Sequence, residues 1–126
     1  MKKLIVDLDG TITLANTSDY KNVLPNTHLI ERLKEYKDAG FQIVISTARN
    51  MRTYKGNLGE ININTLPTIL DWLNQHDVPY DEVLIGKPWC GFEGFYIDDR
   101  AIRPSEFNSM SIDEIYTLLD KEKQCS

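Results

Sequence analysis

The chain has 126 residues, of which 14 are Lys or Arg and 19 are Asp or Glu, giving a formal net charge of −5 at pH 7. That length suits one domain, residues 1–126, with a core that needs no staples, and the composition holds no repeat or low-complexity tract. The acidic balance argues against a nucleic-acid surface, which normally carries a basic stripe, yet a metal ion or a few local cations let an acidic protein bind an anionic substrate.

Only Leu4, Ile5 and Val6 separate Lys3 from Asp7, too few apolar residues for a secretory segment, and no stretch reaches membrane-spanning length. Cys90 and Cys125 lack metal-ligand spacing and are expected as free thiols. These features predict a cytoplasmic protein with no membrane partner.

In chain order, Lys2 to Val6 reads as a first strand. Asn26 can cap a helix whose Leu29, Ile30, Leu33 and Tyr36 recur at helical spacing, with Gly40 ending it. Phe41 to Ser46 is a second strand, rich in β-branched residues. Residues 50–64 show neither period and read as an irregular insertion. Leu66, Ile69, Leu70 and Leu73 mark another helix, and Val83–Gly86 and Phe95–Ile97 are short enough for buried parallel strands. Ser111 and Glu114 have capping-box spacing before a last helix. Apolar runs alternating with amphipathic segments predict an α/β domain, doubly wound and Rossmann-like, with a mostly parallel sheet.

Ligands of such sheets bind at the carboxyl ends of the strands. Asp7 follows the first strand, Thr47 and Arg49 the second, Lys87 the third, and Asp98 and Asp99 the fourth. At strand spacing, Asp7 and Asp9 point to one side, where two like charges are costly unless a cation or shared proton relieves them. An EF-hand is excluded, because its glycine and glutamate positions hold Ile12 and Ser18. Carboxylates with Thr47 and Lys87 suit a phosphoryl group held by cations and hydrogen-bond donors, with Mg2+ a fitting hard cation. For Asp98 and Asp99 the plain alternative is a solvated turn. For Arg52 and Lys55 it is a solvated loop, and for Trp89, Phe92, Phe95 and Tyr96 it is packing rather than a sugar platform.

VDLDGTIT resembles the first motif of the haloacid dehalogenase superfamily of phosphotransferases. IVISTAR, GKP and FYIDDR resemble its second, third and fourth motifs in order, from Val6 through Arg100. The resemblance implies Asp7 as nucleophile forming an aspartyl-phosphate, and Asp9 as general acid and base whose carbonyl helps hold Mg2+. Thr47 would bond a phosphoryl oxygen and Lys87 would offset charge. Asp99, supported by Asp98, would be the further metal ligand. Gly10, Thr11 and Arg49 fall to substrate binding, Arg49 as a grip on the leaving group. STAR also resembles the motif of phosphatases acting on polynucleotide ends. Residues 12–27 and 50–64 are too short for the family's cap domains, so the chain resembles the capless members. Its length and MKKLIVDLDGTIT start resemble short phosphatases of capsular-polysaccharide biosynthesis. That implies a small phosphorylated substrate, a sugar phosphate or related metabolite, and an open site that suits a bulky substrate or a covering second subunit. The competing expectation is a regulatory module that binds Mg2+ and phosphate without turnover, although such a module has no need of Asp9.

Overall fold

Short apolar runs alternating with helices build the first of two units, Met1–Trp89. In the computed structural model, which describes residues 2–125, β1 spans Lys3–Val6, β2 Gln42–Thr47 and β3 Glu82–Ile85. They pair in parallel in the order β1-β2-β3, with Val6 opposite Ile45 and Thr47 opposite Ile85. Ile43, Val44 and Ile45 are consecutive and all buried, so β2 is covered on both faces, as a central parallel strand must be.

The β1-to-β2 crossover carries α1, Thr27–Asp38, started by the Asn26 side chain, which accepts the Leu29 N–H at 3.3 Å. Leu29, Ile30, Leu33 and Tyr36 form its buried face, and Phe41 meets Tyr36 edge-on with ring centroids 5.1 Å apart. The β2-to-β3 crossover carries α2, Leu58–Asn64, and α3, Leu66–Gln75, which buries Ile69, Trp72 and Leu73. Burying each such side chain contributes about 1.5–3 kcal/mol. The result is the expected Rossmann-like α/β arrangement, its parallel sheet aligning three strand ends.

Asp81 locks the start of β3. Its carboxylate accepts the Ile43 N–H at 2.8 Å and the Lys37 ammonium at 2.6 Å, while its own N–H donates to the Ile43 carbonyl. The Lys37 hydrogen bond, then that of Ile43, holds the Asp81 carboxyl below its ordinary 3.8. A lowered value means stabilisation that is complete above the ordinary carboxylate range and lost as acid drives the pH through the lowered one. Melting followed from pH 6 into acid should therefore show the native chain losing stability below about pH 4. Asp81→Asn should lose less over the same span, and identical slopes would remove Asp81 as the cause.

The second unit, Cys90–Ser126, holds α4, Pro104–Ser109, and α5, Ile112–Cys125. The Ser111–Glu114 box closes in both directions: Ser111 N–H donates to Glu114 Oε1 at 2.9 Å and Glu114 N–H to Ser111 Oγ at 3.2 Å. Cys90 is a free thiol, and the Cys125 side chain lies outside the described part. No described helix is long and apolar enough to cross a membrane.

Two segments differ from the sequence reading. Residues 50–64 are not irregular throughout, because α2 occupies the last half, capped by Asn57 accepting the Glu60 N–H. Phe95–Ile97 forms no strand, and these side chains are exposed. A three-residue run is a strand only against a partner, and the described residues of the second unit include none.

Candidate active site

The parallel register brings the segments after β1, β2 and β3 to one end of the sheet, and these carry Asp7, Arg49 and Lys87. Lys87 N–H donates to the Thr47 carbonyl at 3.1 Å, continuing the β2–β3 ladder one step beyond β3. Before it, Gly86 has φ 87°, a left-handed conformation that costs side-chain-bearing residues strain. A Cβ there would also lie 2.6 Å from Leu58 Cδ2, although that side chain can turn away. Gly86→Ala should destabilise the chain by about 1–2 kcal/mol and displace Lys87 from the strand end. An unfolding midpoint unchanged in denaturant would show that the backbone relaxes at no cost.

Asp7 follows β1 with extended backbone, φ −69° and ψ 156°. Thr11 Oγ1 donates to its Oδ2 at 3.1 Å, and Lys87 Nζ stands 3.5 Å from its Oδ1. The chain then reverses through Asp9, φ −72° and ψ 123°, and Gly10, φ 78° and ψ 4°. These are the central angles of a type II turn, which requires a left-handed residue at Gly10. Gly10 N–H donates to Thr13 Oγ1 at 2.9 Å, and that hydroxyl donates to the Ala15 carbonyl.

The turn directs the two carboxylates to different cations. Asp9 receives Arg49 in a fork, Nη2 to Oδ1 at 2.7 Å and Nε to Oδ2 at 3.1 Å. The Arg49 side chain is 1 % exposed and that of Asp9 21 %. A two-bond charged fork of this kind fixes direction as well as distance. The like-charge conflict foreseen between Asp7 and Asp9 is thus relieved by Lys87 on one and Arg49 on the other. The sequence assigns Arg49 to the substrate, whereas the structure places its guanidinium on Asp9. Thr11, also assigned to the substrate, donates to the Asp7 carboxylate. Thr47 is buried, its Oγ1 accepting the Arg49 N–H at 3.1 Å, so its own hydroxyl proton is left to donate.

Sequence reasoning missed Tyr20, Thr13 and Asn50. The Tyr20 ring centroid lies 4.0 Å from Arg49 Cζ, within cation–π range. Burial pushes the Tyr20 hydroxyl above its ordinary 10.0, the Asp9 charge adds to this, and Arg49 and an Asn50 hydrogen bond oppose it. Asn50, with φ 61°, accepts the Thr65 hydroxyl at 2.7 Å. The available signal was weak: Tyr20 is the only aromatic residue between Thr13 and Pro25. Among the remaining candidates, the Arg52 guanidinium lies 5.9 Å from the Trp89 ring.

Asp98 and Asp99 belong to the second unit. Both are exposed, and Asp98 Oδ1 accepts the Arg100 N–H at 2.8 Å, an Asx-type turn. The described residues contain no group of three His, Cys, Asp or Glu side chains forming a complete metal cage. Mg2+ requires none, since it retains waters and takes one or two carboxylates. The donor chemistry of the first unit fits it. Asp7 is a hard oxygen donor, 37 % exposed and held by contacts of 3.1 and 3.5 Å, and the Asp9 carbonyl is an oxygen donor distinct from the forked carboxylate.

A family model of haloacid dehalogenase-like hydrolases matches residues 4–126. A search of curated proteins finds no match. Among solved structures, a crystal structure of a target protein from Vibrio cholerae is 70 % identical with TM-score 0.95, covering 97 % of this chain and 99 % of that one. A chain in a Pnkp1/Rnl/Hen1 complex is 23 % identical with TM-score 0.50, covering 86 % of this chain and 34 % of that one, a likeness of fold.

Proposed function

Because the chain belongs to the haloacid dehalogenase-like hydrolases, we propose that it is a Mg2+-dependent phosphomonoesterase working through an aspartyl-phosphate. The observation that carries this reading is the division of labour between the two carboxylates. Asp7 is partly exposed with the Lys87 ammonium 3.5 Å away, and Asp9 is oriented by a buried guanidinium.

In the first step an Asp7 carboxylate oxygen forms a bond to phosphorus, and the bond from phosphorus to the leaving oxygen breaks. The electron pair goes to the leaving oxygen, which takes a proton from Asp9 in its protonated form, the form that the second step regenerates. In the second step a water oxygen bonds to phosphorus, its proton passes to Asp9, and the Asp7–phosphorus bond breaks to release inorganic phosphate. Each Asp9 oxygen accepts one hydrogen bond from Arg49 and keeps a further lone pair for proton exchange. Thr47 has a proton to donate to a phosphoryl oxygen, and Lys87 supplies positive charge beside Asp7.

Mg2+, held by Asp7 and the Asp9 carbonyl with waters completing its shell, would offset the charge between nucleophile and phosphoryl group. A small phosphorylated metabolite, a sugar phosphate of polysaccharide biosynthesis, is the substrate class that the sequence resemblance favours. A second subunit covering the open site belongs to the same reading.

The test is phosphate release from a panel of sugar phosphates, nucleotides and an aryl phosphate, with and without chelator. Release that chelation stops and Mg2+ restores supports the reading and ranks the substrates. A folded chain that binds Mg2+ and releases nothing from any of them would support a regulatory binding module instead.

A further inference from the structure

Between the Asp9 turn and α1 the chain makes a loop from Thr13 to Pro25 whose base is tied. Leu14 N–H donates to the Leu24 carbonyl, Asn26 N–H to the Ile12 carbonyl, both at 2.8 Å, and Thr13 pairs with Pro25. The Trp72 indole N–H holds the Val23 carbonyl at 3.0 Å from the α3 side. Inside the loop, the Asp19 carbonyl accepts the N–H groups of Asn22 and Val23, making a single turn that carries Tyr20. Two side chains between Thr13 and Pro25 turn inward: Val23, which is buried, and Tyr20, the one residue of 14–20 that is not exposed and so gives its turn a destination.

The destination is the Arg49 guanidinium. Two of its nitrogens, Nε and Nη2, are committed to Asp9, and the third, Nη1, is buried with no hydrogen-bond partner among the described residues. A fork fixed by two parallel bonds can still rock about their common axis. The Tyr20 ring, 4.0 Å from Cζ, offers a π face to the cation and blocks that motion.

We propose that Tyr20 is a positioning residue for the proton-exchanging carboxylate, its ring backing Arg49 so that Asp9 keeps one orientation toward the leaving oxygen. The proposal rests on the phosphomonoesterase reading and deepens it, naming the residue through which the loop acts on the chemistry. Tyr20 acts through Arg49 and takes no proton itself. Its loss should matter most where the leaving oxygen needs a proton. An alkyl phosphate expels a strongly basic alkoxide unless protonated, whereas p-nitrophenyl phosphate expels a stabilised phenolate that hardly needs help.

The experiment compares kcat/KM for glycerol phosphate and p-nitrophenyl phosphate in saturating Mg2+, for the native chain, Tyr20→Leu and Tyr20→Phe, with melting curves to confirm folding. Tyr20→Leu should lower kcat/KM about tenfold on glycerol phosphate and less than about twofold on the aryl ester. Tyr20→Phe keeps the ring face and should stay within about twofold of native on both. Equal losses on both esters, no loss on either, or a phenylalanine variant as impaired as leucine would each overturn the proposal. Tyr20→Met gives the same reading should the leucine variant not fold. Absence of phosphate release by the native chain from either ester would remove the phosphomonoesterase reading and this inference with it, an outcome distinct from an unchanged ester ratio.

Discussion

Asp7→Asn should lower phosphate release by at least about a thousandfold, because an amide oxygen cannot form the aspartyl-phosphate on which both steps depend. The fold should survive. The Asp7 side chain is 37 % exposed, so asparagine stays solvated, and its amide oxygen can still accept the Thr11 hydroxyl. Losing the charge beside Lys87 alters an ion pair only at 3.5 Å and open to water, of the kind worth little to stability. The measurement is a pair, initial rates and a melting curve on one preparation. Retained turnover with an unchanged melting curve would exclude Asp7 as the nucleophile. A collapsed melting curve would mean that its charge is structural.

Arg49→Met carries the second large effect, and here stability and turnover should fall together. Methionine fills much of the buried stem but removes both hydrogen bonds to Asp9 and the cation under Tyr20. Breaking a buried pair by taking one partner costs about 3–5 kcal/mol. Asp9 is one-fifth exposed and recovers some hydration, so about 2–4 kcal/mol is expected here. Adding Asp9→Asn should return part of that loss, since the stranded carboxylate is then gone, and a double-mutant cycle in denaturant reads the difference. Strictly additive losses would mean that the two groups do not interact in solution.

The sequence marks the site better than it marks the contacts within it. Asp7, Thr47 and Lys87 are legible because parallel strands end together, so position along the chain converts directly into position in space. The pairing of Arg49 with Asp9 joins residues 40 apart, and no period encodes such a contact. Asn26 and the Ser111–Glu114 box were readable for the opposite reason: caps are local, closing over three residues. Residues 58–64 failed because Gly59, two asparagines and the alternating Ile61 and Ile63 all disfavour a helical reading. Tertiary packing overrides them, with Ile61 fully buried and Ile63 turned outward. Phe95–Ile97 failed because strand propensity describes a residue's fitness for a ladder and cannot supply the neighbouring strand.

The tied base of the loop from Thr13 to Pro25 has an architectural consequence. Its hydrogen bonds close a doorway whose two posts stand whatever hangs between them. Residues 14–19 are exposed, and extra chain spliced between Thr17 and Ser18 would add only a slowly growing closure entropy. The Asp9 turn on one post and the Asn26 cap on the other would keep their places. A whole added module could therefore be accommodated at this point without rebuilding the chemistry beneath it, making the loop a natural port for enlarging the protein's reach.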